Sequence, residues 1–238
     1  MTCRLDEWLF STEPGLQANS LLLQFATRLL QMTLNTKEFY SKADELIAAG
    51  RFIDGKGWVP ATSGNFSALL NDGNIAITVS GKHKGRLQRE DIMLISPDGL
   101  SLDGKKPSAE TLLHTALYRR FPQIKSVLHP HSLNATLAAR VFQQEIVLEN
   151  YELLKALTGI NSHETRIIVP IFGNDQDIPR LSRQVEKYLD GHGEIYAYII
   201  ASHGFYTWGP SVADTLRHLE ALEFLFECEI RLQGIKSL

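Results

Sequence analysis

The sequence predicts an α/β protein of the α+β kind, in which helices flank a central, largely antiparallel sheet. Three observations predict it. The short β-rich runs NFSALL, NIAITVS and IMLIS follow one another closely, separated by turn signals such as Asn71-Asp72-Gly73 and Pro97-Asp98-Gly99. Helical and extended patterns then alternate to the end of the chain, without an internal repeat, a low-complexity tract or a Pro/Gly linker. Strands grouped ahead of alternating helices belong to one domain with a sheet between helices.

Each element follows from local chemistry. Thr36 is expected to cap a helix over KEFYSKADELIAAGRF, whose apolar residues recur at three- and four-residue spacing, with Gly50, Gly55 and Gly57 as punctuation. SAETLLHTALYRRF predicts a second helix, SVLHPH a strand and LNATLAARVF a third helix. TRIIVPIF, PRLSRQVEKYLDG and AYIIASHGFYTWG read as strand, helix and strand, before a long amphipathic helix from Ser211 to about Leu232. These elements make one catalytic-sized domain over 35–238. Residues 1–34 are expected to be an N-terminal extension, dispensable to it, with Met32 an equally natural start. SLLLQFATRLLQM within that extension is apolar, but acidic residues precede it, Arg28 interrupts it and no small-residue cleavage site follows, which argues against export. It also falls short of the roughly 20 residues a bilayer span needs.

Composition narrows the function. The 238 residues are 44% hydrophobic and 21% charged, enough for a substantial core. A net charge of −3 without a like-charge run provides no footprint for nucleic acid, and nothing points to a membrane partner. Cys3 and Cys228 cannot build a disulfide framework and no CxxC pair marks a structural zinc site, so a reducing cytoplasm is the expected setting.

Three stretches carry chemistry. His129 and His131 stand one residue apart where an apolar run stops; if 126–131 is a strand, both imidazoles share a face and can reach one ion. Helix caps or hydrogen-bonded core histidines account for that spacing as well. His203 follows a buried-looking strand at a Gly turn, and the three together form a His₃ set, the donor count of a catalytic zinc site with an open position. WVPATSGNFSALL and TVSGKHKG contain glycines, Gly64 and Gly81, that let backbone approach an anion, with Thr62, Ser63, Asn65, Ser80 and Lys82 as donors. A phosphate nest and a plain hairpin loop both fit these turns.

The ordered motifs TSGNFS, Ser80-Gly81, KPSAE, HPHS and SHG resemble the class II aldolase/adducin-like superfamily over roughly Thr36 to Leu232. GWVPATSGNFS, TVSGKHKG and ASHGFYTWG look most like the branch that dehydrates a methylthio-substituted 2-keto sugar phosphate in methionine salvage. The resemblance implies a class II aldolase-like fold. It also implies one zinc ion per subunit held by His129, His131 and His203, and a sugar-phosphate substrate bound by Asn65, Ser80, Gly81 and Ser108. It further implies a homotetramer with sites near subunit boundaries. Glu110 matches a metal-proximal acid/base glutamate of the aldolases, and Glu152, in NYELLK, matches the acid/base glutamate of the dehydratases. Under this reading Glu152 protonates the departing hydroxyl and needs a pKa raised by burial. First-turn stabilisation by a helix dipole for Glu110 and an exposed helix position for Glu152 are the plain alternatives, and His114 reads as packing. An aldolase or epimerase with Glu110 as principal base, and a non-enzymatic adducin-like interaction module, are the rival functions.

Overall fold

Successive side chains of the strand Ala197–Ile200 enter two different cores: Ala197 and Ile199 join one apolar cluster, Tyr198 and Ile200 the other. A strand buried on both faces belongs at the centre of three layers. The structure, a computed structural model, describes residues 14–193 and 195–236, with side chains from Asn35 onward. The chain divides into two compact units, Met1–Glu38 and Phe39–Leu238. Of the expected extension over 1–34, residues 1–13 lie outside the described residues, and the backbone from Pro14 is helical.

Among the described residues five helices accompany one eight-stranded sheet. Helix α1 spans Pro14–Gly55, and strands β1 (Asn65–Leu69), β2 (Ile75–Thr78) and β3 (Ile92–Ile95) follow. Next come α2 (Thr111–Arg120), β4 (Ser126–His129), α3 (Leu133–Phe142), β5 (Glu145–Glu149) and β6 (Arg166–Phe172). The chain closes with α4 (Ile178–Gly191), β7 (Ala197–Ile200), β8 (Gly204–Gly209) and α5 (Val212–Lys236). The strand order is β3-β2-β1-β4-β8-β7-β6-β5, antiparallel throughout except for β6 against β7. The α/β class and the largely antiparallel sheet are therefore as the sequence predicts.

One sheet face packs on the Phe39–Gly55 part of α1 and on α3 and α5, the other on α2 and α4. In the first, Ala43, Leu46, Ile47 and Ile53 recur at helical spacing and are buried. Phe205 of β8 meets Phe226 of α5 edge to face, centroids 5.3 Å apart, and burying one such ring contributes about 1.5–3 kcal/mol. Helix starts are chemically marked. Ser132 accepts from the Ala135 amide at 3.1 Å, Asp177 from Arg180 at 3.0 Å, and Ser211 from Asp214 at 3.0 Å.

Four expectations change. Helix α1 runs through Thr36, which lies inside it and is not its N-cap. The strand expected over 126–131 stops at His129, because Pro130 has no N–H to continue a ladder. AYIIASHGFYTWG is a hairpin of β7 and β8 in place of one strand, turned by 201–203, with Ser202 at φ 57°. Strand β5 is an element the sequence reading did not include: it is a sheet edge whose Glu145 and Glu149 are exposed, which weakens the apolar signal.

Candidate metal centre and substrate cleft

Strands β4 and β8 are adjacent, and this pairing brings the three histidines together. His129 ends β4, fully buried, and its Nδ1 lies 2.8 Å from the Phe205 carbonyl of β8. A carbonyl only accepts, so Nδ1 carries the proton and the lone pair is left on Nε2. The Tyr206 ring stacks on the imidazole at 4.0 Å and 13°. His131, beyond the strand, is placed by backbone: its N–H donates to the Trp58 carbonyl at 3.0 Å, and the Phe205 N–H donates to the Pro130 carbonyl at 3.2 Å. A side chain at Gly204 would collide with that Pro130 carbonyl, so the close approach requires glycine. His203 sits in the β7–β8 turn. The Nε2 atoms of His131 and His203 lie 2.9 and 3.4 Å from that of His129.

Glu110, the residue preceding α2, completes the cluster. Its Oε1 is 3.0 Å from His203 Nε2 and its Oε2 is 3.6 Å from His129 Nε2. Ligand atoms of Glu110, His129, His131 and His203 all lie within 4.8 Å of one another. Burial acts first on these groups. It pushes His129 and His131 down to about 3, which keeps both imidazoles neutral near pH 7. For Glu110 burial acts upward but is outweighed by hydrogen bonds from His203 and Asn65 and by the neighbouring imidazoles, so the carboxyl is held below the usual range. Neutral imidazoles and an ionised carboxylate are the protonation states that bind a divalent ion. The donor set fits such an ion, and three imidazoles with a carboxylate suit zinc-like metals.

A cleft of about 310 Å³ opens beside these groups, lined by Glu110, His131 and His203. Asn65, Ser80, Gly81 and Ser108, the predicted substrate residues, line it too. Gly64 has φ 76°, and a Cβ there would lie 2.6 Å from the His129 carbonyl, so this turn packs directly on the metal strand. Ser63 Oγ is buried without a hydrogen-bond partner, an orphan donor of the kind a ligand satisfies. Asn65 differs from a free phosphate donor: Nδ2 is committed to Glu110 and Oδ1 to His114.

Glu152 is not brought to this site. It opens a 3-10 turn, Glu152–Ala156, with its side chain 76% exposed and paired with Lys155 at 2.8 Å. The Lys155 hydrogen bond holds its carboxyl below the ordinary value, the reverse of the upward shift expected from burial.

The sequence assigned a site role to none of three residues: His114, read as packing, Lys84, read as part of a solvated basic turn, and Asn174. His114 is wholly buried and hydrogen-bonded at both ring nitrogens, not merely packed. Asn174, in the polar GNDQD run after β6, lines the cleft and lies 3.4 Å from His203 Nδ1. Lys84 is 1% exposed and donates to the Thr62 and Lys82 carbonyls at 3.1 and 2.6 Å, tying the two glycine turns together; burial draws its pKa down to about 8. Only the polar run after an apolar strand could have flagged any of the three.

The family model described as Class II Aldolase and Adducin N-terminal domain matches residues 44–230. The chain belongs to this family. Among its curated relatives, a methylthioribulose-1-phosphate dehydratase of Methylococcus capsulatus is 65% identical over 203 residues, 85% of this chain and 100% of that protein. A Hahella chejuensis protein of the same name is 51% identical over 203 residues, 84% of this chain and 98% of its own. YgbL of Escherichia coli, 25% identical, superposes with a TM-score of 0.68 over 80% of this chain and 88% of its own. The L-fuculose-1-phosphate aldolase of Thermus thermophilus is 21% identical, with a TM-score of 0.65 over 84% and 97%. This class II aldolase-like fold is thus shared with the solved structures. No described helix is long and apolar enough to cross a membrane.

Proposed function

We propose that the protein dehydrates 5-methylthioribulose 1-phosphate to 2,3-diketo-5-methylthiopentyl 1-phosphate, a zinc-dependent hydro-lyase of methionine salvage working in the cytoplasm as a homotetramer. The observation that carries the reading is the convergence of His129, His131, His203 and Glu110 on one wall of a cleft whose other wall is the two glycine turns. The names of relatives 50% or more identical over most of their length supply the substrate.

His129, His131 and His203 hold the ion, one per subunit, and a bound divalent ion supplies electrostatic stabilisation of the anion formed when a proton leaves the carbon beside a carbonyl. The Ser80-Gly81 turn and Ser108 hold the phosphate end of the substrate, with Asn65 lining the same cleft while its amide is committed to Glu110 and His114. Glu110, ionised and fixed against the histidines, shapes the site and accepts a proton at its carboxylate. Glu152 gives a proton to the departing C4 hydroxyl. Because it is exposed on its own protomer, that role requires it to enter the cleft of a neighbouring subunit, where burial would raise its pKa. The balance is simple: a proton leaves C3, hydroxide leaves C4 as water after protonation, and the enol ketonises.

One observation favours the aldolase or epimerase alternative: Glu110, and not Glu152, stands at the histidines. Incubating the purified protein with methylthioribulose 1-phosphate, and in parallel with fuculose and ribulose phosphates, separates the readings by product. Loss of water from the first supports dehydration. Carbon–carbon cleavage or inversion of the others, with no reaction of the first, overturns it.

A further inference from the structure

Helix α2 and strand β1 mesh through polar side chains where both elements could have been apolar. Glu110, His114 and Tyr118 recur at four-residue spacing and so share one face of the helix, while Asn65 and Ser67, two apart, share one face of the strand. The contacts alternate between the two sets. Tyr118 Oη lies 2.8 Å from Ser67 Oγ, Ser67 Oγ lies 2.7 Å from His114 Nδ1, His114 Nε2 contacts Asn65 Oδ1, and Asn65 Nδ2 contacts Glu110 Oε2. His114 and Ser67 have no exposure at all, and Asn65 is 4% exposed.

The direction of every bond follows from one end. An ionised carboxylate only accepts, so Asn65 must turn its amide N–H₂ to Glu110 and its oxygen to His114. His114 must then carry its proton on Nε2, which leaves Nδ1 to accept from the Ser67 hydroxyl, and Ser67 in turn accepts from Tyr118. Burial lowers the His114 pKa to about 4, consistent with a neutral ring holding a single N–H. Flipping Asn65 would set its oxygen against the Glu110 carboxylate and reverse the whole row. Burying five polar groups is costly unless all are satisfied, and here each has its partner.

We propose that His114 is the positioning residue of this site: through Asn65, and backed by Ser67 and Tyr118, it aims the Asn65 N–H at Glu110 and fixes that carboxylate against the metal-binding histidines. The inference goes beyond the dehydratase reading in assigning a role to His114, and it rests on that reading only for its kinetic readout. It gives Asn65 a duty besides substrate binding.

The test uses the full chain, stripped of metal and titrated with Zn²⁺, together with steady-state kinetics on methylthioribulose 1-phosphate. His114→Leu removes both hydrogen bonds; His114→Gln keeps a donor for Asn65 and an acceptor for Ser67. Loss of such outer partners costs metal sites about 10- to 100-fold. The Leu variant should bind Zn²⁺ about 10-fold more weakly and lose about 10-fold in kcat with KM nearly constant, while Gln restores both to within about threefold. A merely structural role would instead lower the melting temperature in both variants and leave Zn²⁺ affinity alone. Equal Zn²⁺ affinity in wild type and His114→Leu, or equal damage from Leu and Gln, overturns the proposal. If His114→Leu does not fold, Ser67→Ala decides: about threefold weaker Zn²⁺ binding supports the chain and unchanged binding overturns it. A wild type that ignores the substrate but shows the Zn²⁺ pattern sinks only the dehydratase reading; one that turns over normally in His114→Leu with unchanged Zn²⁺ affinity sinks only this one.

Discussion

Glu110 and Glu152 are both assigned to proton transfer, yet they occupy opposite surroundings. Glu110 stands at the start of α2, where the helix dipole, two imidazoles and the Asn65 amide all favour its anion. Glu152 stands on a 3-10 turn in solvent, with one lysine for company. A single chain therefore assembles a charged, preorganised, metal-ready pocket and leaves its expected acid outside. The candidate metal centre is thus assembled within one fold, whereas under the proposed function Glu152 would have to reach the cleft of a neighbouring subunit.

The strongest way to break this contrast is at the centre itself. His129→Ala should abolish stoichiometric metal and lower kcat by about 10³-fold or more, the scale of several kcal/mol of lost charge stabilisation. Metal analysis beside kinetics checks it, and a variant with full metal and normal turnover would remove His129 from the ligand set. Glu152→Gln comes next: kcat should fall by about 10²-fold while metal content and melting temperature hold, because nothing in its own protomer depends on it. Mixing inactive Glu152→Gln subunits with inactive His131→Ala subunits should restore part of the activity if the acid crosses between copies; no recovery in verified mixed oligomers would confine both groups to one chain. Ser80→Tyr, at the mouth of the cleft, should raise KM for the phosphorylated substrate by about tenfold, near 1.4 kcal/mol, with metal unchanged. An unaltered KM would return that turn to a structural role.

A further effect concerns pH. His129 and His131 have folded pKa values pushed down to about 3, below the 6.5 of the unfolded chain. Their contribution to stability is therefore complete above about 6.5 and is lost as pH falls toward 3, since the unfolded state takes up protons first. Denaturant melts of the metal-free protein between pH 7 and 4 should show this fall, and His131→Ala should flatten it. Glu152→Gln should leave the slope nearly untouched, as befits an exposed carboxylate.

The sequence made the helices and most strands legible because their signals are local: apolar residues recur at three- and four-residue spacing in KEFYSKADELIAAGRF, and α4 is strongly amphipathic. The clustering of His129, His131 and His203 was legible too, although by a flawed route. A shared strand face at i and i+2 needs a strand through His131, but Pro130 ends β4, and His131 is placed by a backbone bond to Trp58 instead. The Gly turn at His203 was legible, but the β7–β8 hairpin was not, because its left-handed position is Ser202 and not a glycine. His114 was hidden for a deeper reason: its partners lie 47 and 49 residues away, and only the packing of α2 on β1 brings them together. Glu152 was visible as a glutamate, but its exposure depends on tertiary context.

The strand order has a dynamic consequence. In β3-β2-β1-β4-β8-β7-β6-β5, the two strands that hold His129 and anchor its ring are the middle pair, three strands from either edge. Opening of a sheet by fraying begins at its edges, so the amides of β4 and β8 should exchange with solvent deuterium only through the largest, near-global fluctuations. The backbone that sets the His129 imidazole is then insulated from the breathing of β3 and β5. Slow exchange at Leu128 and Phe205 beside faster exchange in β3 and β5 would be the signature of a candidate centre carried on a quiet frame.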